Sequence, residues 1–187
     1  MTTAVDPKKF RSDQLSKLTD EIGVYALCDL DGVPIYVGQS VDGIRTRVRR
    51  HLTSARSDII VNRQIDVWEI AFVWAYPVSL KSDIGRLESS LFHEFDKKSQ
   101  LMNGSIPKTQ GHLSPNPTAS QTIQVISDED LKERLSPELR LPRQAQHYAK
   151  LVDHFLVVKQ SEQIARSMQA HFERLQIYHK ELLDSQK

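Results

Sequence analysis

Residues 22–40 read IGVYALCDLDGVPIYVGQS. Two short apolar runs flank Asp31-Gly32, a strong turn signal, so the stretch predicts a β-hairpin. Each strand carries a tyrosine and a glycine, as Gly23-Val24-Tyr25 and Tyr36-Val37-Gly38. With a two-residue turn at Asp31-Gly32, Leu30 faces Val33, Leu27 faces Tyr36 and Tyr25 faces Gly38. A four-residue loop keeps this register and a three-residue loop spoils it. Residues directly opposite share a face of the sheet, so both phenols lie on one face as diagonal neighbours. Gly38 leaves open space above Tyr25. A hairpin built for packing alone would do better with Val, Ile and Phe; this one can form a shallow polar pocket.

The chain on either side adds charge to that pocket. Asp42 can cap a helix from Gly43 to about Ala55, with Ile44, Val48 and Leu52 facing inward. Arg47 and His51 are one turn apart on this helix and point along the edge of the core. Residues 45–63 hold Arg45, Arg47, Arg49, Arg50, Arg56 and Arg63 against one acid, Asp58. Such a basic patch on a chain of net charge +1 suits a phosphate backbone. A solvated helix face is the plainer explanation. Residues 65–77, IDVWEIAFVWAYP, read as one strand apolar on both faces apart from Glu69, hence covered on both sides. A helix from about Leu80 to Lys98 follows, with Leu80, Ile84, Leu87, Leu91 and Phe95 as its apolar stripe. Glu88 projects between Phe92 and Phe95, where a carboxylate is costly unless it is paired or binds a metal. A structural ion pair with an arginine is the competing explanation.

The ends of the chain read differently. Residues 1–21 are a polar lead-in with a short helix near Ser12–Asp20. From Gly104 to about Thr122 the composition shifts to Gly, Pro, Ser, Thr, Asn and Gln, which reads as a loop or linker, taken over 106–126. Residues 127–187 read as helical. Ser127 opens a short helix, and Pro142 suits the first turn of another. Beyond it, Ile164, Met168, Leu175, Tyr178 and Leu182 form a short heptad-like seam broken by His171. This is one long helix or a hairpin broken near Gln160-Ser161. The seam offers a surface for a homodimer, and His147, His154, His171 and His179 fall on the surface or the seam.

Composition excludes several classes. With 187 residues, 39% hydrophobic and 26% charged, the chain is neither disordered nor membrane-like. No apolar run reaches a bilayer-spanning length. Cys28 alone makes no internal disulfide or multi-Cys zinc site. With no secretory leader in view, a cytoplasmic location is expected. His93-Glu94 lacks the second histidine of a zincin motif, there is no phosphate-binding P-loop, and Ser40 has no nucleophile-elbow context.

Taken together, Gly23-Val24-Tyr25, Tyr36-Val37-Gly38, Arg47, His51, Glu88 and Asn103 resemble the ordered signature of the GIY-YIG nuclease family, over residues 22–105. The resemblance implies an α+β fold: a small three-stranded antiparallel sheet flanked by helices, followed here by the helical C-terminal region. It implies a metal-dependent endonuclease that hydrolyses phosphodiesters, here in DNA, with RNA also open. Tyr25 would act as general base or orient the water, Tyr36 would hydrogen-bond phosphate or water, and Arg47 would grip the scissile phosphate. His51 or the field of the metal would assist Tyr25, Glu88 would hold one Mg²⁺ or Mn²⁺, and Asn103 would position Glu88 or a nearby backbone group. Arg45, Arg49, Arg50, Arg56 and Gln39 would contact nucleic acid. Many members carry lysine where Gln39 stands, so any water-activating role of that lysine is vacant here. Restriction, repair and mobile-element roles all remain open. A catalytically inactive nucleic-acid-binding or assembly module on the same fold is the alternative.

Overall fold

The computed structural model describes residues 6–110 and 117–187. Residues 1–5 of the lead-in and 111–116 of the expected linker lie outside the described residues. Strand β1 (Gly23–Cys28) pairs antiparallel with β2 (Pro34–Ser40) on one side and β3 (Phe72–Pro77) on the other. Strand β4 (Gln121–Gln124) adds to the far edge of β3. The sheet therefore has four strands, in the order β2-β1-β3-β4, and not the three expected. The polar composition around Gln121 hid an edge strand. Its Gln121 side chain accepts from the Thr19 amide (2.8 Å) and donates to the Lys17 carbonyl (2.7 Å), tying the sheet edge to the lead-in.

The turn is not the one expected, yet the tyrosines keep their register. The Asp29 carboxylate accepts from the amides of Asp31 (3.0 Å) and Val33 (2.8 Å), and the Asp29 amide bonds the Val33 carbonyl. The loop is thus the three residues Leu30–Gly32. A bulge restores the alignment: Cys28 pairs with Pro34 but Leu27 with Tyr36, leaving Ile35 as the extra residue. Tyr25 consequently faces Gly38, as read from the sequence.

Other boundaries shift for local reasons. The Asp66 carboxylate accepts from the Trp68 amide (3.2 Å) and Val67–Glu69 forms a 3₁₀ turn, so the expected long strand is extended only over Phe72–Pro77. Helix α1 spans Pro7–Ser16 under an Asp6 cap, earlier than expected. Its Leu15, and Leu18 just beyond, are fully buried, so the lead-in belongs to the core. Helix α2 (Ile44–Thr53) begins at Gly43, and Asp42 does not cap it. Instead Asp20 accepts from the Thr46 amide (3.1 Å), while the carbonyls of Glu21 and Thr19 take the amides of Ile44 and Arg45. A single turn, α3 (Asp58–Val61), precedes β3, and α4 (Ile84–Lys98) follows it after a 3₁₀ turn at Lys81–Asp83. One sheet face packs Tyr25, Leu27, Val73 and Ala75 with α1 and α2; the other packs Val24, Ala26, Cys28 and Tyr76 with Ile84, Leu91 and Phe92 of α4.

The C-terminal region is α5 (Asp128–Arg134), α6 (Pro137–Val157) and α7 (Glu162–Ser185). Ser161 caps α7 through the Ile164 amide, so the tail is a helical hairpin. Pro137 occupies the first turn of α6 and Pro142 lies inside that helix, contrary to the reading of Pro142 as a first-turn residue. The seam is spent within the chain, where Ile164 and Tyr178 are buried. His147 and His171 are also buried, their rings 5.0 Å apart, and donate to the carbonyls of Arg63 (3.0 Å) and Gln64 (2.9 Å). No helix among the described residues is long and apolar enough to cross a membrane.

Buried charge fixes the tail to the hairpin. Arg140 of α6 donates through Nε (2.9 Å) and Nη2 (2.6 Å) to Glu69 Oε1, reaches Asp31 at 2.7 Å, and lies 4.1 Å over the Tyr178 ring. Arg174 of α7 pairs with Asp29, the carboxylate that shapes the β1–β2 turn. Arg143 clamps Asp66, the residue that caps the 3₁₀ turn, at 2.7 and 2.8 Å. Three carboxylates face two guanidiniums around Glu69, and burial pushes its carboxyl up to about 7 although Arg140 pulls it down.

Removing one partner of such a cluster leaves buried charge uncompensated. Arg140→Ala is expected to lower stability by about 3–5 kcal/mol in chemical denaturation; a loss below about 1 kcal/mol would contradict the clamp. The histidines add a pH term. Burial holds His171 down at about 3 and lowers His147, against about 6.5 in the unfolded chain. The unfolded state therefore binds the extra protons, so this stability is complete above about pH 6.5 and is lost as pH falls toward 3, at up to about 1.4 kcal/mol per unit for each group. Glu69 titrates in the opposite sense, so wild type is best set against His171→Asn. From pH 7 to pH 5 the denaturation midpoint should fall further, or rise less, in wild type than in the variant. Equal changes would show that His171 does not titrate as a buried neutral group.

Candidate active site

The two tyrosine-glycine tripeptides meet across β1 and β2. A Cβ at Gly38 would collide with the Tyr25 hydroxyl and ring, and one at Gly23 with the Tyr76 carbonyl. The space above Gly38 is therefore filled by the Tyr25 phenol itself and is not open as expected. The two tyrosine rings stand 6.4 Å apart and open on one side into a cavity of about 420 Å³. Tyr25, Tyr36, Gln39, Arg47, Glu88 and Asn103 all line it.

His51 lies immediately behind Tyr25, fully buried, with Nε2 2.7 Å from the Tyr25 hydroxyl and Nδ1 2.6 Å from Ser57 Oγ. Burial first, then the nearby Arg47 charge, lowers its pKa to about 4, so at neutral pH the ring is uncharged. With Nδ1–H given to Ser57, Nε2 accepts from Tyr25. Burial raises both phenols above their ordinary range; Tyr36 adds to the effect on Tyr25, and Asp58 to that on Tyr36. Arg47 opposes the rise in both. Neither tyrosine ionises unaided at neutral pH.

The remaining groups are set by the elements beneath them. Asp58 at the start of α3 lies 3.6 Å from Arg47 and 3.9 Å from His51 Nδ1, holding the guanidinium over the cavity. Arg47 Nε has no hydrogen-bond partner among the described residues. The Asn103 side chain accepts from the Val37 amide (3.0 Å) and donates to the Val37 carbonyl (2.7 Å). It therefore fixes the middle of β2, between Tyr36 and Gly38, and makes no hydrogen bond with Glu88 among the described residues. Ser57 and Asp58 were missed as site residues, as were Asn62, Gln64 and Gln163 on the cavity wall. Ser57-Asp58 stands six and seven residues past His51, a spacing that one turn of chain can fold back. Gln163 comes from α7 and carries no local signal.

The other basic residues separate. Arg45 is tied to Asp20 (3.0 Å) and the Ser16 carbonyl (3.0 Å), away from the cavity. Arg49, Arg50 and Arg56 are exposed, with Arg50 4.0 Å from Asp58. None of the four lines the cavity.

Glu88 is half-buried, its pKa raised by that burial, and it makes no hydrogen bond or ion pair among the described residues. The structural ion pair offered as an alternative for it is therefore not formed; the glutamate paired with an arginine is Glu69. Among the described residues no three His, Cys, Asp or Glu side chains converge on a metal position. A lone unpaired carboxylate on a polar cavity fits a hard divalent cation that takes its other ligands from water and phosphate oxygens. It does not fit a closed zinc site.

Searches of the curated proteins and of the solved structures return no significant match to this chain. The family model of the GIY-YIG catalytic domain matches residues 21–102, a little under half of the chain. The matched segment holds the hairpin, α2 and α4, and so delivers Tyr25, Tyr36, Arg47 and Glu88 to the one cavity, with His51 behind Tyr25. Over residues 21–102 the chain is therefore similar to the GIY-YIG catalytic domain of the nuclease superfamily, which supports a nuclease-type function.

Proposed function

We propose that this protein is a divalent-metal-dependent endonuclease that hydrolyses phosphodiester bonds in DNA, and that Tyr25, Tyr36, Arg47, His51 and Glu88 carry the reaction. The observation behind this reading is the hydrogen-bonded chain Tyr25–His51–Ser57, which ends on a cavity that also holds Arg47 and the unpaired Glu88.

Arg47 binds the scissile phosphate and stabilises charge as it develops on the equatorial oxygens. Tyr25 accepts a proton from the attacking water while passing its own to His51 Nε2, which avoids forming a phenolate in a buried site. At rest this transfer is uphill, because burial first, and then the Arg47 charge, disfavours an imidazolium. A bound phosphate pairs with Arg47 and removes the second part of that penalty, and Asp58 at 3.9 Å favours the charged ring. Tyr36 donates to a phosphate oxygen or holds the water. Glu88 would hold Mg²⁺ or Mn²⁺, which when bound would supply positive charge for the leaving 3′ oxygen. Asn103 acts as a positioning residue through β2. Gln39, Arg49, Arg50 and Arg56 contact the flanking backbone; Arg45 is engaged by Asp20 and contributes less.

The rival reading is a binding module that has lost its chemistry. Such a module has no use for a half-buried carboxylate that lines the same cavity as Arg47 and has no partner among the described residues. Incubation with supercoiled plasmid and with short single strands decides between the two. Cutting should require Mg²⁺ or Mn²⁺, stop in EDTA, and fall at least about 100-fold in Glu88→Ala and in Arg47→Ala. Folded wild type that binds DNA and cuts none of these substrates would establish the module instead.

A further inference from the structure

Helix α3 ends in a way that is costly for its sequence. The Gln64 amide bonds the Ile59 carbonyl and the Arg63 amide the Ile60 carbonyl, the Schellman pattern. The residue it turns on is usually glycine, because it takes a left-handed conformation. Here it is Arg63, at φ +53°. The carbonyls of Arg63 and Gln64 are held by the buried His147–His171 pair, so the strained turn is fixed from behind by both tail helices. The Arg63 side chain offers no packing in return: it is exposed and makes no ion pair among the described residues.

Its position supplies the reason. Asn62 and Gln64, on either side, line the catalytic cavity. Arg63 itself lines two further cavities, of about 210 and 390 Å³, that run along α6. Lys150 of α6 lines both with it, also exposed and without an ion-pair partner among the described residues. The acids here are Asp66, already clamped by Arg143, and Asp153 in the farther cavity. A groove bearing two unpaired cations thus begins one residue from the catalytic cavity.

We propose that Arg63 and Lys150 form a second DNA contact, in which the groove along α6 holds backbone phosphates of the strand that enters the catalytic cavity. The proposal rests on the nuclease reading above. It gives the tail helices a role in the substrate complex that the matched domain lacks, since Lys150 lies outside residues 21–102.

The test is binding of a fluorescent 20-base-pair duplex to the full chain in EDTA, by anisotropy, across a range of KCl concentrations. Arg63→Gly removes the charge while easing the left-handed turn, and Lys150→Ala lies on an exposed helix face, so both fold. Each should reduce the slope of log affinity against log salt by about 1, and Arg63→Lys should keep it. Wild-type slopes in both Arg63→Gly and Lys150→Ala, or no duplex binding by wild type at any salt, would overturn the proposal. Plasmid cutting with Mg²⁺ is scored separately. Loss of slope without any cutting would leave the groove standing and remove the nuclease reading; cutting with unchanged slopes would do the reverse.

Discussion

The Asp29 carboxylate is where the local and global structure of this protein meet. Two of its bonds shape the three-residue turn, and so the bulge that returns Tyr25 and Tyr36 to one face. Its ion pair with Arg174 carries the far end of the chain back onto that turn. Arg140 completes the cluster by joining Asp31 of the turn to Glu69 ahead of β3. Buried ion pairs are weak sources of net stability, because desolvation offsets most of the attraction. Their directionality is what counts here: a helical hairpin resting on apolar contacts alone could slide, whereas these pairs allow one seating.

That seating reaches the chemistry by short routes. With α6 and α7 in place, His147 and His171 hold the carbonyls of Arg63 and Gln64, and Gln163 closes the cavity wall. From the other side Ser57 and Asp58 fix His51 and Arg47. The site is electrostatically poised and not relaxed: a neutral histidine beside a cation, phenols kept protonated by burial, and a carboxylate without a partner among the described residues. An anionic substrate with a cation would relieve the first and the third, by pairing Arg47 and Glu88. This coupling favours charge rearrangement only when substrate is present.

The sequence made the site more legible than the fold around it. Tyr25, Tyr36, Arg47, His51 and Glu88 could be found because period-2 and period-3.6 spacings place them on definite faces, and the register argument survived although the turn differed. What could not be read was long-range. Trp68 and Ile70 look like strand residues until Asp66, held by an arginine 77 positions away, pulls Val67–Glu69 into a turn. Gln121–Gln124 has a linker composition, and only an open edge on β3 makes it a strand. Asp20 caps a helix from outside it, and Asn103 serves a β2 backbone 66 residues earlier. His147 and His171 of the tail read as surface or seam residues because their partners are backbone carbonyls, which leave no mark in a sequence.

The central claim is that Tyr25 moves the proton of the attacking water through His51. Tyr25→Phe keeps the ring and removes only the hydroxyl. Its single-turnover rate on a cleaved duplex, measured with saturating enzyme and Mg²⁺, should fall at least about 100-fold, with duplex affinity and thermal midpoint close to wild type. Cleavage within about threefold of wild type would contradict the account and leave proton removal to another group.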